Sequence, residues 1–94
     1  MDAKQFEAQL RSEGYLDIKA RTLDPAVSTS SHSHRFDTRL LVLAGEVTIT
    51  CDGQPQTYRA GELVEIAREV EHSEGYGSGR FAFIVGLRHA LAAS

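Results

Sequence analysis

The chain has 94 residues, of which 41% are hydrophobic and 24% are charged, values that are ordinary for one soluble domain. Its net charge of −3 comes from interspersed acidic and basic residues, so no basic face forms and nucleic acid is excluded as a partner. No apolar run approaches the length of a membrane span, which excludes a transmembrane protein. The N-terminus lacks the regions of a signal peptide, and we expect a cytoplasmic protein.

The short length favours association between chains. A chain of this size buries only about 60–65% of the surface that its unfolded form exposes. A second subunit adds buried area, so we expect a homodimer. The single cysteine, Cys51, excludes an internal disulfide. It follows the strand-like stretch 47–50, and we interpret it as a small buried hydrophobe rather than a reactive thiol.

Residues 2–13 have the pattern of a helix. Asp2 is a suitable N-cap, and Gln5 follows at capping-box spacing. Phe6 and Leu10 are four residues apart and form one apolar stripe. We expect this helix to pack against a sheet or a partner subunit.

After the helix, the spacing of apolar residues changes to two, which predicts strands. Leu16, Ile18 and Ala20 alternate with polar residues and predict a half-exposed strand, whereas the apolar run 40–44 predicts a strand buried on both faces. Further strands are predicted over residues 47–51, 57–59, 63–67, 70–74 and 81–85. Asp52-Gly53 is a strong hairpin signal. Seven or eight short strands without strand–helix alternation are typical of an antiparallel sandwich, barrel or jelly roll.

Two of the four histidines, His32 and His34, stand two residues apart. In an extended strand such residues point to the same face, so their imidazoles lie side by side and can begin a metal site. His72 lies far downstream, in another predicted strand. The spacing alone leaves open whether the three side chains meet.

The segment 26–45 resembles the first motif of the cupin family. In that motif a glycine, a His-x-His pair, a glutamate and a second glycine follow one another at set intervals. His32, His34 and Gly45 fit the spacing, while Ala26 stands where the first glycine is usual.

The segment 61–76 resembles the second cupin motif. Gly61 and His72 fit its glycine and its histidine at the expected distance. The motif's proline, glycine and asparagine are replaced here by Ala67, Glu69 and Tyr76. Together the two motifs cover about half of the chain.

The resemblance implies an all-β fold, a cupin-like jelly-roll barrel with a short N-terminal helix. The single domain would cover residues 1–94, with the helix in 1–14 and the barrel in 15–88. The implied function is the binding or conversion of a small organic molecule, with dioxygenase, isomerase and decarboxylase chemistry all open. The alternatives are a non-catalytic domain that senses a ligand or a metal, and a structural barrel without metal.

The resemblance also implies a metal site. His32, His34 and His72 fall on the three positions where cupins place their metal-binding imidazoles. Three imidazoles with open positions for water or substrate suit Fe(II), Ni(II), Zn(II) or Mn(II).

The fourth ligand of the family is missing. Thr38 stands where the metal-binding glutamate belongs, and a hydroxyl is a poorer ligand than a carboxylate. Glu74 lies two residues after His72, so strand parity puts both on one face. Asp37 is adjacent to the vacant position but points away unless a bulge turns it inward. Both acids are candidates for fourth ligand or general acid/base, and we prefer Glu74.

Overall fold

The structure of the chain, a computed structural model, describes residues 1–77 and 79–89. Within this part, one helix precedes seven strands. They are α1 (Ala3–Ser12), β1 (Leu16–Leu23), β2 (Phe36–Ala44), β3 (Glu46–Cys51), β4 (Gln54–Arg59), β5 (Leu63–Ile66), β6 (Ser73–Tyr76) and β7 (Phe81–His89). The expected all-β fold with a short N-terminal helix is therefore confirmed. Over the same residues, no helix is both long enough and apolar enough to cross a membrane.

Helix α1 begins with the capping box that the sequence predicts. The Gln5 N–H donates to the Asp2 carboxylate over 2.8 Å, and the Gln5 side-chain oxygen accepts from the Asp2 N–H over 3.1 Å. Phe6 and Leu10 are completely buried. The residues that they pack against include Tyr15, Leu41 and Ile84. The helix therefore lies on a sheet, which was one of its two expected placements.

The strands form two antiparallel sheets. The larger sheet has the strand order β1-β7-β2-β5, and the smaller has the order β4-β3-β6. The main core, which includes Val42, Val47, Phe81 and Phe83, contains side chains from both sheets. The other face of the larger sheet carries α1. Strands β2 and β7 are thus covered on both faces, which explains why they are apolar at consecutive positions.

The expected burial of the run 40–44 on both faces of the sheet is found for only some of its residues. Leu41 and Val42 are almost completely buried, the first beneath α1 and the second in the main core. Leu43 remains 43% exposed, and Ala44 is also exposed. The cluster beneath α1 contains Leu41 but not Leu43, because the short helix covers only part of the sheet.

Strand β1 departs from the predicted alternation at its start. A bulge lies between Leu16 and Lys19, and Asp17 within it has a φ of +52°. Leu16 is 67% exposed, so it does not contribute to the expected buried face. Ile18 packs against the cluster beneath α1. Lys19 and Arg21, which alternate with the residues on that face, therefore lie on the inner side of the sheet.

Two turns need backbone angles that favour glycine. Asp52 and Gly53 have φ values of +55° and +73° and close the hairpin between β3 and β4, as predicted. Gly45 has a φ of +81°, and a Cβ added there would collide with the Arg80 carbonyl. Cys51, beside the hairpin, is half-buried and packs against the main core.

The outer face of the larger sheet carries a charged network beside α1. Asp37, whose side chain is 13% exposed, accepts hydrogen bonds from the Arg68 backbone and side chain and from the Arg88 side chain. These bonds, those of Arg68 above all, hold the pKa of Asp37 well below its usual range. The guanidinium carbons of Arg39 and Arg88 lie over the Tyr15 ring, 4.8 and 4.6 Å from its centroid.

This network predicts a loss of stability in acid. A carboxyl group whose pKa is lower in the folded chain stabilises the fold above its unfolded pKa of about 3.9, and that contribution is lost as the pH falls further. We expect Asp37→Asn to reduce the free energy of unfolding at neutral pH by about 1–3 kcal/mol. Urea unfolding at several pH values between about 7 and about 3 measures both effects.

The variant should also lose part of the acid dependence that the parent shows. Asp52→Asn, which changes an exposed carboxyl group in the hairpin turn, is the control and should keep the parent's dependence. Equal pH dependence in the parent and in Asp37→Asn would contradict the assignment.

Candidate metal centre

A short ladder outside the regular strands brings the first two histidines to the third. The His32 N–H donates to the His72 carbonyl and the His72 N–H donates to the His32 carbonyl, each over 2.8 Å. Two further N–H···O bonds flank this pair, from Thr29 to Glu74 over 2.9 Å and from Glu69 to His34 over 2.7 Å. The polar segment 29–34 therefore runs beside the chain that enters β6. It is a bridge rather than the regular strand expected there, since β2 begins at Phe36.

The three imidazoles form one cluster. The ring centroid of His32 lies 4.8 Å from that of His34 and 4.5 Å from that of His72, and the remaining distance is 5.5 Å. One nitrogen from each ring lies within 4.8 Å of the others. His72 is only 2% exposed, whereas the other two are half-buried. The structure thus brings together the three histidines that the motifs single out.

Backbone carbonyls hold two of the rings in one orientation. The Nδ1 of His32 lies 2.8 Å from the Ser30 carbonyl oxygen, and the Nδ1 of His72 lies 3.0 Å from the Val70 carbonyl oxygen. A carbonyl oxygen can only accept, so Nδ1 carries the proton in both rings. In the neutral rings Nε2 therefore has its lone pair available. Histidines that bind metals through Nε2 are commonly held in this way.

His34 is positioned by stacking rather than by a carbonyl. Its ring lies against that of Phe36, with centroids 4.7 Å apart and an interplanar angle of 14°. Burial, followed by the neighbouring imidazoles of His32 and His72, lowers the pKa of His34. The lowered pKa favours the neutral ring, which is the form that can bind a metal.

Glu74 supplies a carboxylate at the cluster. Its Oε1 lies 3.1 Å from the His32 Nε2 and 3.9 Å from the His72 Nε2. Oε1 also lies within hydrogen-bond distance of the Thr29 hydroxyl, at 3.3 Å, and Oε2 accepts from the Tyr76 hydroxyl over 3.2 Å. Burial, and then the charge of Glu74, raises the pKa of Tyr76 to about 12, so this hydroxyl remains a donor at neutral pH.

Asp37, the other candidate for the fourth ligand, lies away from the histidine cluster. Thr38, at the vacant glutamate position, lines the interior, and its neighbour Asp37 points to the outer face, where Arg68 and Arg88 bind it. The bulge that would turn Asp37 inward is absent, since the register of β2 against β7 is regular from Phe36 to Val42. The structure therefore does not bring Asp37 to the cluster.

His34 and His72 border a cavity of about 270 Å³ between the two sheets. Most of its wall is apolar, with Leu40, Val47, Ile49, Ile66, Phe81, Phe83, Val85 and Leu87. Its polar side chains include His34, His72, Glu74 and Tyr76. A concave, mostly apolar space with a few convergent polar groups is the usual form of a site for a small molecule.

The sequence patterns do not single out three residues near this site, Lys19, Arg21 and Thr29. Lys19 and Arg21 line the cavity although they belong to the predicted polar face of β1. Their spacing of two does indicate a shared face, but the bulge in β1 decides which face that is. Thr29 lies against Glu74, and the polar run to which it belongs gives no indication of the ladder that places it there.

The donor set fits a divalent metal ion. Three nitrogen atoms bound tetrahedrally to one ion at about 2.1 Å lie about 3.4 Å apart, so nitrogens within 4.8 Å of one another need to approach by at most about 1.4 Å. Two Nε2 lone pairs are pre-oriented, and a carboxylate oxygen lies beside them. His89 takes no part, because it is exposed and its ring lies against Phe36 instead. Imidazole and carboxylate ligands suit Fe(II), Ni(II), Zn(II) and Mn(II).

Comparison with known proteins identifies the family. The sequence profile of the cupin domain matches residues 21–85. The chain belongs to the cupin family. The resemblance seen in the two motifs is thereby confirmed. No match was found among curated protein sequences.

Solved cupin structures resemble this cupin over most of its length. A cupin superfamily protein from Desulfitobacterium hafniense has 25% identity and a TM-score of 0.66, covering 78% of this chain and 66% of that one. A cupin-2 domain-containing protein from Shewanella frigidimarina has 25% identity and a TM-score of 0.61, covering 72% and 66%. This cupin thus spans just under two thirds of the length of either protein. A protein described as a predicted oxalate decarboxylase, from Thermotoga maritima, has 18% identity and a TM-score of 0.67, covering 87% and 73%, and shows likeness of fold alone.

The position of Glu74 predicts a specific effect on metal affinity. We expect Glu74→Gln to weaken the binding of Zn(II) and Mn(II) by about 10- to 100-fold, because a neutral amide replaces the charged oxygen beside two imidazoles. Calorimetric titration of protein stripped of metal measures the affinity.

Asp37→Asn is the matched control, since it removes a carboxylate from the outer face of the larger sheet, away from the cluster. Its metal affinity should equal that of the parent. Weaker metal binding by Asp37→Asn with no change in Glu74→Gln would show that Asp37, and not Glu74, is the metal ligand.

Proposed function

We propose that this cupin is a metal-dependent enzyme that acts on a small organic molecule inside its barrel. The convergence of His32, His34 and His72 at a cavity between the sheets carries the proposal. The carboxylate of Glu74, 3.1 Å from one imidazole nitrogen, adds the charge that the usual glutamate position lacks. A barrel without metal needs neither this convergence nor the pre-oriented Nε2 atoms.

In this proposal His32, His34 and His72 hold a divalent Fe, Ni, Zn or Mn ion, with Glu74 as the fourth ligand. Such an ion supplies Lewis-acid chemistry or a position for oxygen. The hydroxyl groups of Thr29 and Tyr76 keep the Glu74 carboxylate oriented by hydrogen bonds to its two oxygens.

The rest of the cavity orients the substrate. Its apolar wall limits the access of water, which strengthens electrostatic interactions inside the site. The reaction class stays open between oxidative cleavage, isomerisation and decarboxylation, because the cupin fold supports all three. Likeness to a protein described as a predicted oxalate decarboxylase is compatible with the last, but at 18% identity it does not select it.

Elemental analysis of protein purified without added metal tests whether the protein binds a metal ion. We expect bound metal in the parent and background levels in the variant His32→Ala, His34→Ala, because two of the three imidazole ligands are gone. His89→Ala is the control, since it removes an exposed histidine outside the cluster and should leave the metal content unchanged. A parent without metal overturns the proposal.

Turnover by the metal-loaded parent tests whether the protein is an enzyme. Oxygen uptake and product formation across a panel of small acids, thiols and sugars should reveal a substrate that the His32→Ala, His34→Ala variant does not convert. Binding without conversion across the panel would instead identify a sensing domain.

We also propose that the protein is a homodimer. The small size of the domain supports this, as does β1, which lies at the edge of the larger sheet with Leu16 67% exposed. Sedimentation equilibrium measures the mass in solution, and a monomer at all concentrations would contradict the proposal.

A further inference from the structure

Two basic side chains border the cavity that holds the histidine cluster. Lys19 and Arg21 are two residues apart on β1 and both line the cavity. In the register of the larger sheet they stand opposite Val85 and Phe83 on β7, which also line it. Both remain exposed, so they lie where the cavity opens to solvent.

These two cations differ from those on the outer face of the same sheet. Arg39, Arg68 and Arg88 each form an ion pair with a carboxylate. Within residues 1–77 and 79–89, no carboxylate forms an ion pair with Lys19 or Arg21. The acid that lines the cavity, Glu74, accepts hydrogen bonds from the Thr29 and Tyr76 hydroxyls and lies against the histidine cluster. Two positive charges therefore border the cavity without an ion-pair partner in this part of the chain.

A pair of cationic side chains beside an apolar wall favours the binding of an anion that also has an apolar part. Attraction between charges strengthens where water is partly excluded, and a guanidinium can bind a carboxylate or a phosphate through two hydrogen bonds. The rings of Phe81 and Phe83 offer a surface for the apolar part of such a molecule. Since a cavity of roughly 150 Å³ can hold benzene, the cavity of about 270 Å³ accommodates a molecule with roughly ten non-hydrogen atoms.

We propose that Lys19 and Arg21 bind the anionic group, a carboxylate or a phosphate ester, of the small organic molecule on which this cupin acts. The apolar part of the molecule lies against the phenylalanine rings, and its other end faces the histidine cluster. This inference rests on the proposed function, because it names the substrate class of the same cavity.

The competing explanation concerns the edge of the sheet. Charged residues that point inward on an edge strand discourage pairing with another sheet, and β1 is an edge strand. That role needs charge on β1 but predicts no preference for anionic ligands. Ligand binding therefore separates the two explanations.

The experiment titrates protein stripped of metal, so that an ion does not itself attract the ligand. Benzoate, phenyl phosphate and the neutral benzamide are the probes, and shifts of backbone amide resonances measure their affinities. We expect benzoate or phenyl phosphate to bind more tightly than benzamide. The double variant Lys19→Gln, Arg21→Gln should lower the affinity for the preferred anion by about 10-fold or more and leave that for benzamide unchanged.

Two further variants make the test specific to these side chains. Lys4→Gln, Arg11→Gln removes the same two charges from exposed positions on α1 and should bind the probes as the parent does. Lys19→Arg, Arg21→Lys keeps both charges on β1 and should retain the preference for anions. Comparison of benzoate with phenyl phosphate distinguishes a carboxylate site from a phosphate site.

Equal affinity of the parent for benzoate, phenyl phosphate and benzamide would overturn the inference, as would the absence of binding for all three. An equal loss of anion affinity in Lys4→Gln, Arg11→Gln would also overturn it, because net charge alone would then explain the preference. Metal content, measured separately, decides the proposed function. Anion preference in a protein that takes up no metal would support this inference while the metal-dependent function fails.

Discussion

The candidate site depends on one pair of backbone hydrogen bonds, those between His32 and His72. Each donates its N–H to the other's carbonyl oxygen over 2.8 Å, so the two residues stand directly opposite each other and their side chains share a face. The pair joins a polar segment to the chain that enters β6. Together with the flanking backbone bonds from Thr29 to Glu74 and from Glu69 to His34, it fixes the segment that carries His34, so that the three imidazoles converge. Glu74 is placed by the same ladder, through the backbone bond from Thr29.

The larger sheet keeps two kinds of chemistry apart because its strands alternate. Asp37 and Thr38 are adjacent, but the first lies in the charged network beside α1 and the second lines the cavity. On the outer face, ion pairs and the Tyr15 ring connect the helix end to the sheet. On the inner face, apolar side chains surround the cavity.

The cavity combines three features on different strands. The histidine cluster lies where the 29–34 segment meets β6, the aromatic wall is on β7, and the basic pair is on the edge strand β1. A metal ion bound at the cluster would make the polar end of the cavity more positive, and Lys19 and Arg21 add positive charge at the opening. The anionic substrate that we propose would be attracted by both, so the proposed binding charges and the proposed metal would act in the same direction.

The sequence by itself determined the all-β class, the capped helix, the hairpin at Asp52-Gly53 and the family, because these follow from local periodicity, turn chemistry and motif spacing. It also singled out the three histidines and favoured Glu74 over Asp37 by strand parity. Only the tertiary structure decided that the histidines meet, since that requires hydrogen bonds between residues 40 positions apart in the sequence. It alone revealed Lys19 and Arg21 in the cavity, because a bulge in β1 decides which face they occupy and no local pattern encodes it.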